Sequence, residues 1–432
     1  VTTPVADKPQ KSTMKTTKAG LSAVLILPSV VLAAAPPPPA RPLPPSPSGA
    51  PVVGAPLPPP PGRAVAEAGL HGKALAGLTA KEKAEFAVGR DEFVNVETPE
   101  GGLGPIFNDV SCVACHFQGG LGGGSRTAVT RFGRVINGVF DPLTELGGSL
   151  LQKKAIDPAS VETVPAAANV VARRMTTPVF GAGLIEAIPD ATISAGTAGA
   201  KPDGVRGRVA LVKDVVSGTM RVGRFGWKAQ VATLAAFSAD AYLNEMGVTG
   251  RYFPVENAPN GNTEHLVRLD KVLDPEDALA PGALKSDSDL AADFMRLLAP
   301  VPPLPGADPA SPGAAVFRGV GCAVCHVPSM KTGASPVAAL ANKPVWLYSD
   351  LLLHDMGRLG DGIAQPPAAM SEMRTAPLWG LRLRDRYLHD GRASTLDMAI
   401  LAHEGEAVVA RDRYTKLTPA KRSALLAFLG SL

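Results

Sequence analysis

Two short stretches hold the residues best suited to chemistry: Cys112-Val113-Ala114-Cys115-His116 and Cys322-Ala323-Val324-Cys325-His326. Together they use all four cysteines of the chain. C-x-x-C-H is the attachment signature of a c-type haem. One helical turn sets two sulfurs opposite two vinyl groups, and the next residue puts an imidazole under the iron. Structural zinc would need a second ligand pair close by, and these pentads stand far apart in the chain. A redox-active C-x-x-C needs no following histidine, and here both have one. The sequence therefore predicts two covalently attached haems c, with His116 and His326 as the proximal ligands.

Five histidines remain for other tasks: His71, His265, His354, His389 and His403. A helix opening at Ser394-Thr-Leu-Asp397 has a capping-box-like start. It would carry Leu396, Ala399, Ile400 and His403 on one face. His403 is the favoured sixth ligand of the second haem iron, with Met356 and Met373 as alternatives. The first pentad is followed by the glycine run Gly119-Gly-Leu-Gly-Gly-Gly124, and no histidine lies between Phe117 and Glu264. That iron is expected to stay open to a small oxidant. Cleaving an O–O bond heterolytically calls for a carboxylate beside the open iron. Glu186 and Glu245 both sit in otherwise apolar stretches and are the two candidates.

The elements that must position these residues repeat. Residues 79–93 read as a helix with Phe86 and Phe93 on one side, and Gly89-x-x-x-Phe93 is echoed by Gly313-x-x-x-Phe317 before the second pentad. Thr418-Pro419 caps a last helix with a stripe of Leu425, Phe428, Leu429 and Leu432. Thr176-Thr-Pro178-Val-Phe180-Gly181 matches Thr375-Ala-Pro377-Leu-Trp379-Gly380, so the halves read as divergent copies. The first copy is expanded over residues 190–250, where segments 205–215 and 219–225 suggest a hairpin. The expected fold is mainly α. It comprises two cytochrome c-like haem domains, the N-terminal one (66–300, peroxidatic) enlarged by a small β insertion. A proline-rich break at 300–312 leads to the second (301–432, electron transfer).

The first 65 residues read differently. Residues 1–13 precede Met14, the expected start, and 14–34 have the charge and apolar run of a secretory signal. The apolar run, broken by Pro28, is short for a membrane span, so none is expected in the mature chain. Residues 35–65 are a proline-dense linker with too few apolar side chains to fold. Removing 1–34 takes away four lysines and one aspartate, which lowers the formal charge from +4 to +1. Such a balance gives no footprint for nucleic acid. An exported, periplasmic protein is expected.

From about residue 89 to the end the chain resembles the bacterial di-haem oxidoreductase family. More distantly it resembles the di-haem cytochrome c peroxidases and the di-haem enzyme that matures a tryptophan cofactor in methylamine metabolism. The resemblance is carried by Gly102-Leu-Gly-Pro-Ile-Phe-Asn108, Phe180-Gly-Ala-Gly-Leu-Ile-Glu-Ala-Ile-Pro189 and Gly223-Arg-Phe-Gly-Trp-Lys-Ala229. In the second half it is carried by Tyr348-Ser-Asp-Leu-Leu-Leu-His-Asp-Met-Gly357, Arg374-Thr-Ala-Pro-Leu-Trp-Gly380 and Tyr387-Leu-His-Asp-Gly391.

The resemblance implies a peroxidase-like oxidoreductase that takes hydrogen peroxide and draws electrons from a small redox protein or another donor. It implies Glu245 as the acid-base group ahead of Glu186, Trp227 as a bridge between haems, and an inter-haem calcium held by the carbonyls of Thr375 and Pro377. His403, fourteen positions after His389, falls where such peroxidases place a distal ligand. Three departures stand out. Those enzymes usually carry methionine at the place of His403, and a glutamine upstream of the glutamate where this chain has Phe237. Many also have a histidine that plugs the resting iron, which this chain lacks. The competing readings are an oxidase or oxygenase acting on an organic or protein substrate, and a plain di-haem electron carrier.

Overall fold

The computed structural model describes residues 71–279 and 283–432; the expected signal segment and linker lie outside the described residues. Its scaffold is one helix pair used twice. In the first copy α1 (Ala80–Phe93) packs against α3 (Asp287–Leu297), and in the second α4 (Pro312–Val320) packs against α6 (Pro419–Leu429). In the chain, α2 (Leu234–Ala241) falls between the two members of the first pair and α5 (Leu396–Leu401) between those of the second.

The helix starts follow from local chemistry. Thr79 and Glu82 form a reciprocal capping box, the Thr79 hydroxyl accepting from Glu82 N at 3.2 Å and Thr79 N donating to Glu82 Oε2 at 2.7 Å. Ser311-Pro312 and Thr418-Pro419 each supply a hydroxyl cap and a first-turn proline.

Both crossings need a glycine. A Cβ at Gly89 would lie 2.4 Å from Leu290 O, and one at Gly313 would lie 2.3 Å from Ala424 O. The phenylalanine one turn later then meets its partner: Phe93 to Phe294 with centroids 4.5 Å apart, Phe317 to Phe428 at 5.6 Å. These rings anchor two separate core clusters. The Phe180-Gly181 and Trp379-Gly380 echo is structural too, since Gly181 (φ 67°) and Gly380 (φ 72°) each turn the chain into a short helical segment.

The expectation of a mainly α fold is corrected. The described chain is 33% helical and 15% strand, and the strands are spread over several small sheets. The largest centres on β1 (Ala128–Ile136), which pairs antiparallel with β2 (Val139–Asp141), β3 (Leu150–Leu151) and β4 (Val170–Met175). The expected hairpin is also present, as β5 (Leu211–Lys213) against β6 (Met220–Val222). The physical reason is coverage. Long segments laid over the helix pairs must satisfy their backbone groups, and short ladders do so where no helix forms.

Candidate functional sites at the two pentads

Each pentad makes the single turn its spacing requires. His116 N donates to Cys112 O at 3.0 Å and His326 N to Cys322 O at 2.9 Å. Ser111 caps the first turn; the second starts from Gly321 at φ 100°. The imidazoles are fixed alike, His116 Nδ1 to Gly123 O at 3.1 Å and His326 Nδ1 to Tyr348 O at 3.0 Å. Burial pulls both rings down to about 4. A neutral ring whose proton sits on Nδ1 offers the Nε2 lone pair to a metal.

The thiols are pushed the other way. Burial and nearby acids lift Cys112 to about 12 and Cys115 to about 11; burial lifts Cys322 to about 12. Redox-active thiols need depressed values, so Cys112, Cys115 and Cys322 do not suit dithiol exchange. Two sulfurs and one neutral imidazole per turn fit a haem at each place.

The surroundings of the two pentads differ. His326 and His403 line one apolar cavity together with Cys322, Cys325, Met356 and Met373. The two rings lie close enough that charge on His403 would depress His326 further. The helix expected to carry His403 ends at Leu401, so the ring stands in the turn beyond it. There Nδ1 is held by Ala399 O at 2.8 Å, and the ring can offer its own Nε2.

Near the first pentad stands Glu245, whose charge bears on Cys115. It lies on a one-turn π-helix, Tyr242–Met246, that continues α2; such bulges often mark functional sites. Asn108 Nδ2 donates to Glu245 Oε2 at 2.8 Å, while the Asn108 and Asp109 amides bind Glu245 O. Burial raises the carboxyl to about 7, only partly offset by Arg131 and Asn108. Arg131 is half-buried; loss of water around it lowers it to about 10, and its Nε has no hydrogen-bond partner among the described residues.

Glu186 is elsewhere and engaged. It accepts from Leu234 N and from Arg296 Nε, each at 2.7 Å. Trp227 lines the His326–His403 cavity and also the neighbouring one bounded by Thr177, Phe180 and Trp379. Its Nε1 donates to Met175 O at 2.8 Å and its ring meets His389 edge-on at 6.2 Å. Thr375 O accepts from Ser349 Oγ at 2.6 Å and Arg374 Nη1 at 3.1 Å. Those donors, one of them cationic, take the lone pairs that a calcium ion would use; Pro377 lines the cavity.

Three features were not anticipated. Asn108 supplies a side-chain amide to Glu245, while Phe237 packs on Phe225. Its place in a quoted motif was the available signal. Arg131 gave none, as it lies on an unforeseen strand. The third is His354, bonded to Asp350 (3.0 Å) and Glu406 (2.8 Å) and 3.7 Å from Cys325 Sγ. Burial opposes its charge, yet bonds to Asp350, Cys325 and Glu406 outweigh that and lift the ring to about 11.

Among known proteins, the family described as "Di-haem oxidoreductase, putative peroxidase" matches residues 162–432. Similar solved structures include hydrazine synthase of Kuenenia stuttgartiensis (pressurized with xenon), at 14% identity over 91% of this chain and 99% of that one, TM-score 0.35. Another is a MauG-like protein associated with microbial copper homeostasis, at 16% identity over 82% of this chain and 90% of that one, TM-score 0.37. No curated protein matches the chain.

Proposed function

Because the chain belongs to the di-haem oxidoreductase family, we propose that it is an exported peroxidase that reduces hydrogen peroxide at the Cys112/Cys115/His116 site. Electrons arrive from a small redox partner through the Cys322/Cys325/His326 site. One peroxide, two electrons and two protons give two waters. Haem, bound through the cysteine sulfurs, supplies the redox-active iron at both places.

The residues divide the remaining work. His116 and His326 serve as proximal ligands, with the proton kept on Nδ1 by Gly123 O and Tyr348 O. His403 closes the second site, which suits electron storage. Glu245 takes a proton from one peroxide oxygen and returns it to the other, a role that needs an acidity near the working pH. Asn108 orients that carboxylate and Arg131 favours its ionised form. Trp227 forms part of the wall between the two cavities and carries electrons across.

The observation that supports this reading most is Glu245 itself. It is a carboxyl lifted to about 7, beside a pentad after which the chain has no histidine before His265. Glu245→Gln keeps its shape and removes the base. Peroxide consumption should fall roughly 100- to 10,000-fold, with haem content and the second haem's spectrum preserved. In the wild type the rate should climb as pH rises through about 7, where Glu245 ionises; in the variant that limb should vanish. An oxidised wild type inert to peroxide would favour the electron-carrier reading.

A further inference from the structure

We propose that Glu256, Asp274 and Glu276 form a calcium site in the loop that follows the Glu245 turn. Each offers one carboxylate oxygen, and these oxygens lie within 4.8 Å of one another. Two oxygens bound to one calcium at about 2.4 Å can stand no more than about 4.8 Å apart, and all three pairs here keep within that limit.

Acidic residues gather on many surfaces without binding anything. Here the second observation is Glu256, which is only 7% exposed and has a buried Oε2 without any hydrogen-bond partner among the described residues. Its Oε1 is used, accepting from Asn257 N at 2.7 Å. The charges that bear most on the carboxyl are all acidic: Glu276, Asp270 and Asp274. Burial and these neighbours push Glu256 up to about 9, and burial with Asp270 and Asp274 pushes Glu276 up to about 7. A buried carboxylate facing other carboxylates is costly unless a cation pairs with it.

The other two ligands are held in place before any ion arrives. Thr249 is fully buried, and its hydroxyl donates to Asp274 Oδ1 at 2.8 Å. Thr249 N donates to Glu276 Oε2 at 2.9 Å. An all-oxygen, carboxylate-rich set on a loop favours calcium; magnesium wants a stricter octahedron and keeps more of its water. No cysteine or histidine belongs to the cluster, so softer metals have nothing to select.

The site is separate from the Thr375–Pro377 carbonyls, and it does not depend on the peroxidase reading. It ties the chain around the π-helical turn. Asn257 Nδ2 donates to Leu243 O at 3.4 Å, Gly104 N donates to Met246 O at 3.0 Å, and a Cβ at Gly102 would lie 2.8 Å from Glu276 Cβ. Filling it would pin both segments that carry Glu245 and Asn108.

The test uses the full-length haem-loaded protein, stripped with a chelator and then titrated with calcium chloride by calorimetry and thermal melting. Calcium should bind and raise the melting midpoint. Glu256→Gln and Glu276→Gln should each weaken that binding roughly tenfold or more, as one charged ligand is lost. Without calcium, Glu256→Gln should melt no lower than the stripped wild type, because Oε2 has no hydrogen-bond partner among the described residues to lose; this keeps misfolding from passing as lost binding. The proposal is overturned if calcium changes neither heat nor melting, or if both variants bind like the wild type. An equal response to magnesium chloride would overturn the choice of cation.

Discussion

At position 403 an imidazole is held by the end of its own helix, Nδ1 to Ala399 O, and shares a cavity with His326. On the proposed reading, His403→Ala should convert the second haem from low-spin to high-spin, or to a weaker replacement ligand. Electron paramagnetic resonance reads this directly. An unchanged low-spin signal would turn attention to Met356 or Met373, which line the same cavity. His403 and Glu245 could be singled out in the sequence because each is a polar residue in an apolar stretch. Glu186 looked the same by that criterion, yet its carboxylate is spent on Arg296 and Leu234 N. Residue type and apolar company reveal that a group is buried. They do not reveal what it is buried against, which is why Asn108, Arg131 and the Asp350–His354–Glu406 trio needed coordinates.

Among the elements, the two helix crossings are the most constrained. At Gly313 an added methyl would meet a backbone carbonyl and Phe428 Cβ at 2.5 Å, and neither can give way easily. Alanine is the better helix former by ~1 kcal/mol, but forcing the crossing apart costs ~1–3 kcal/mol. Gly313→Ala should therefore be neutral at best and destabilising by up to ~2 kcal/mol. Gly319→Ala is the internal control: it lies in the same helix with nothing within 4 Å, and should stabilise by ~0.5–1 kcal/mol. Denaturant unfolding of the full chain distinguishes the two. Three of the four paired helices were legible because caps, small residues and phenylalanines recur at fixed spacing; α3 was not anticipated. The β1 sheet was not, since a half-buried arginine sits in the strand and the exposure of Ala128–Ile136 does not alternate. A strand with that pattern leaves no period-2 signal.

For the whole molecule, two pentads in two copies of one helix pair imply two haems that load separately. Cys112→Ala with Cys115→Ala should remove one covalent haem and leave the other's spectrum intact. Haem stain on a denaturing gel, with pyridine haemochrome stoichiometry, checks it. A wild type that carries one haem per chain would refute it. The duplication could be read before any coordinates, because the pentads and the Pro-x-aromatic-Gly echo are local. Trp227 was named as a bridge only through the family resemblance, because the two cavities it lines are assembled from distant segments.

That indole is fastened on two sides, by Met175 O at its nitrogen and by His389 at its edge, and Met175 N is in turn bound to His389 O at 2.6 Å. A relay that swings must push solvent aside, so its speed drops as the medium thickens. A relay built into a wall has no stroke to make. On the proposed reading, current between the two irons is set by driving force and by a span fixed at folding, and glycerol should leave it untouched.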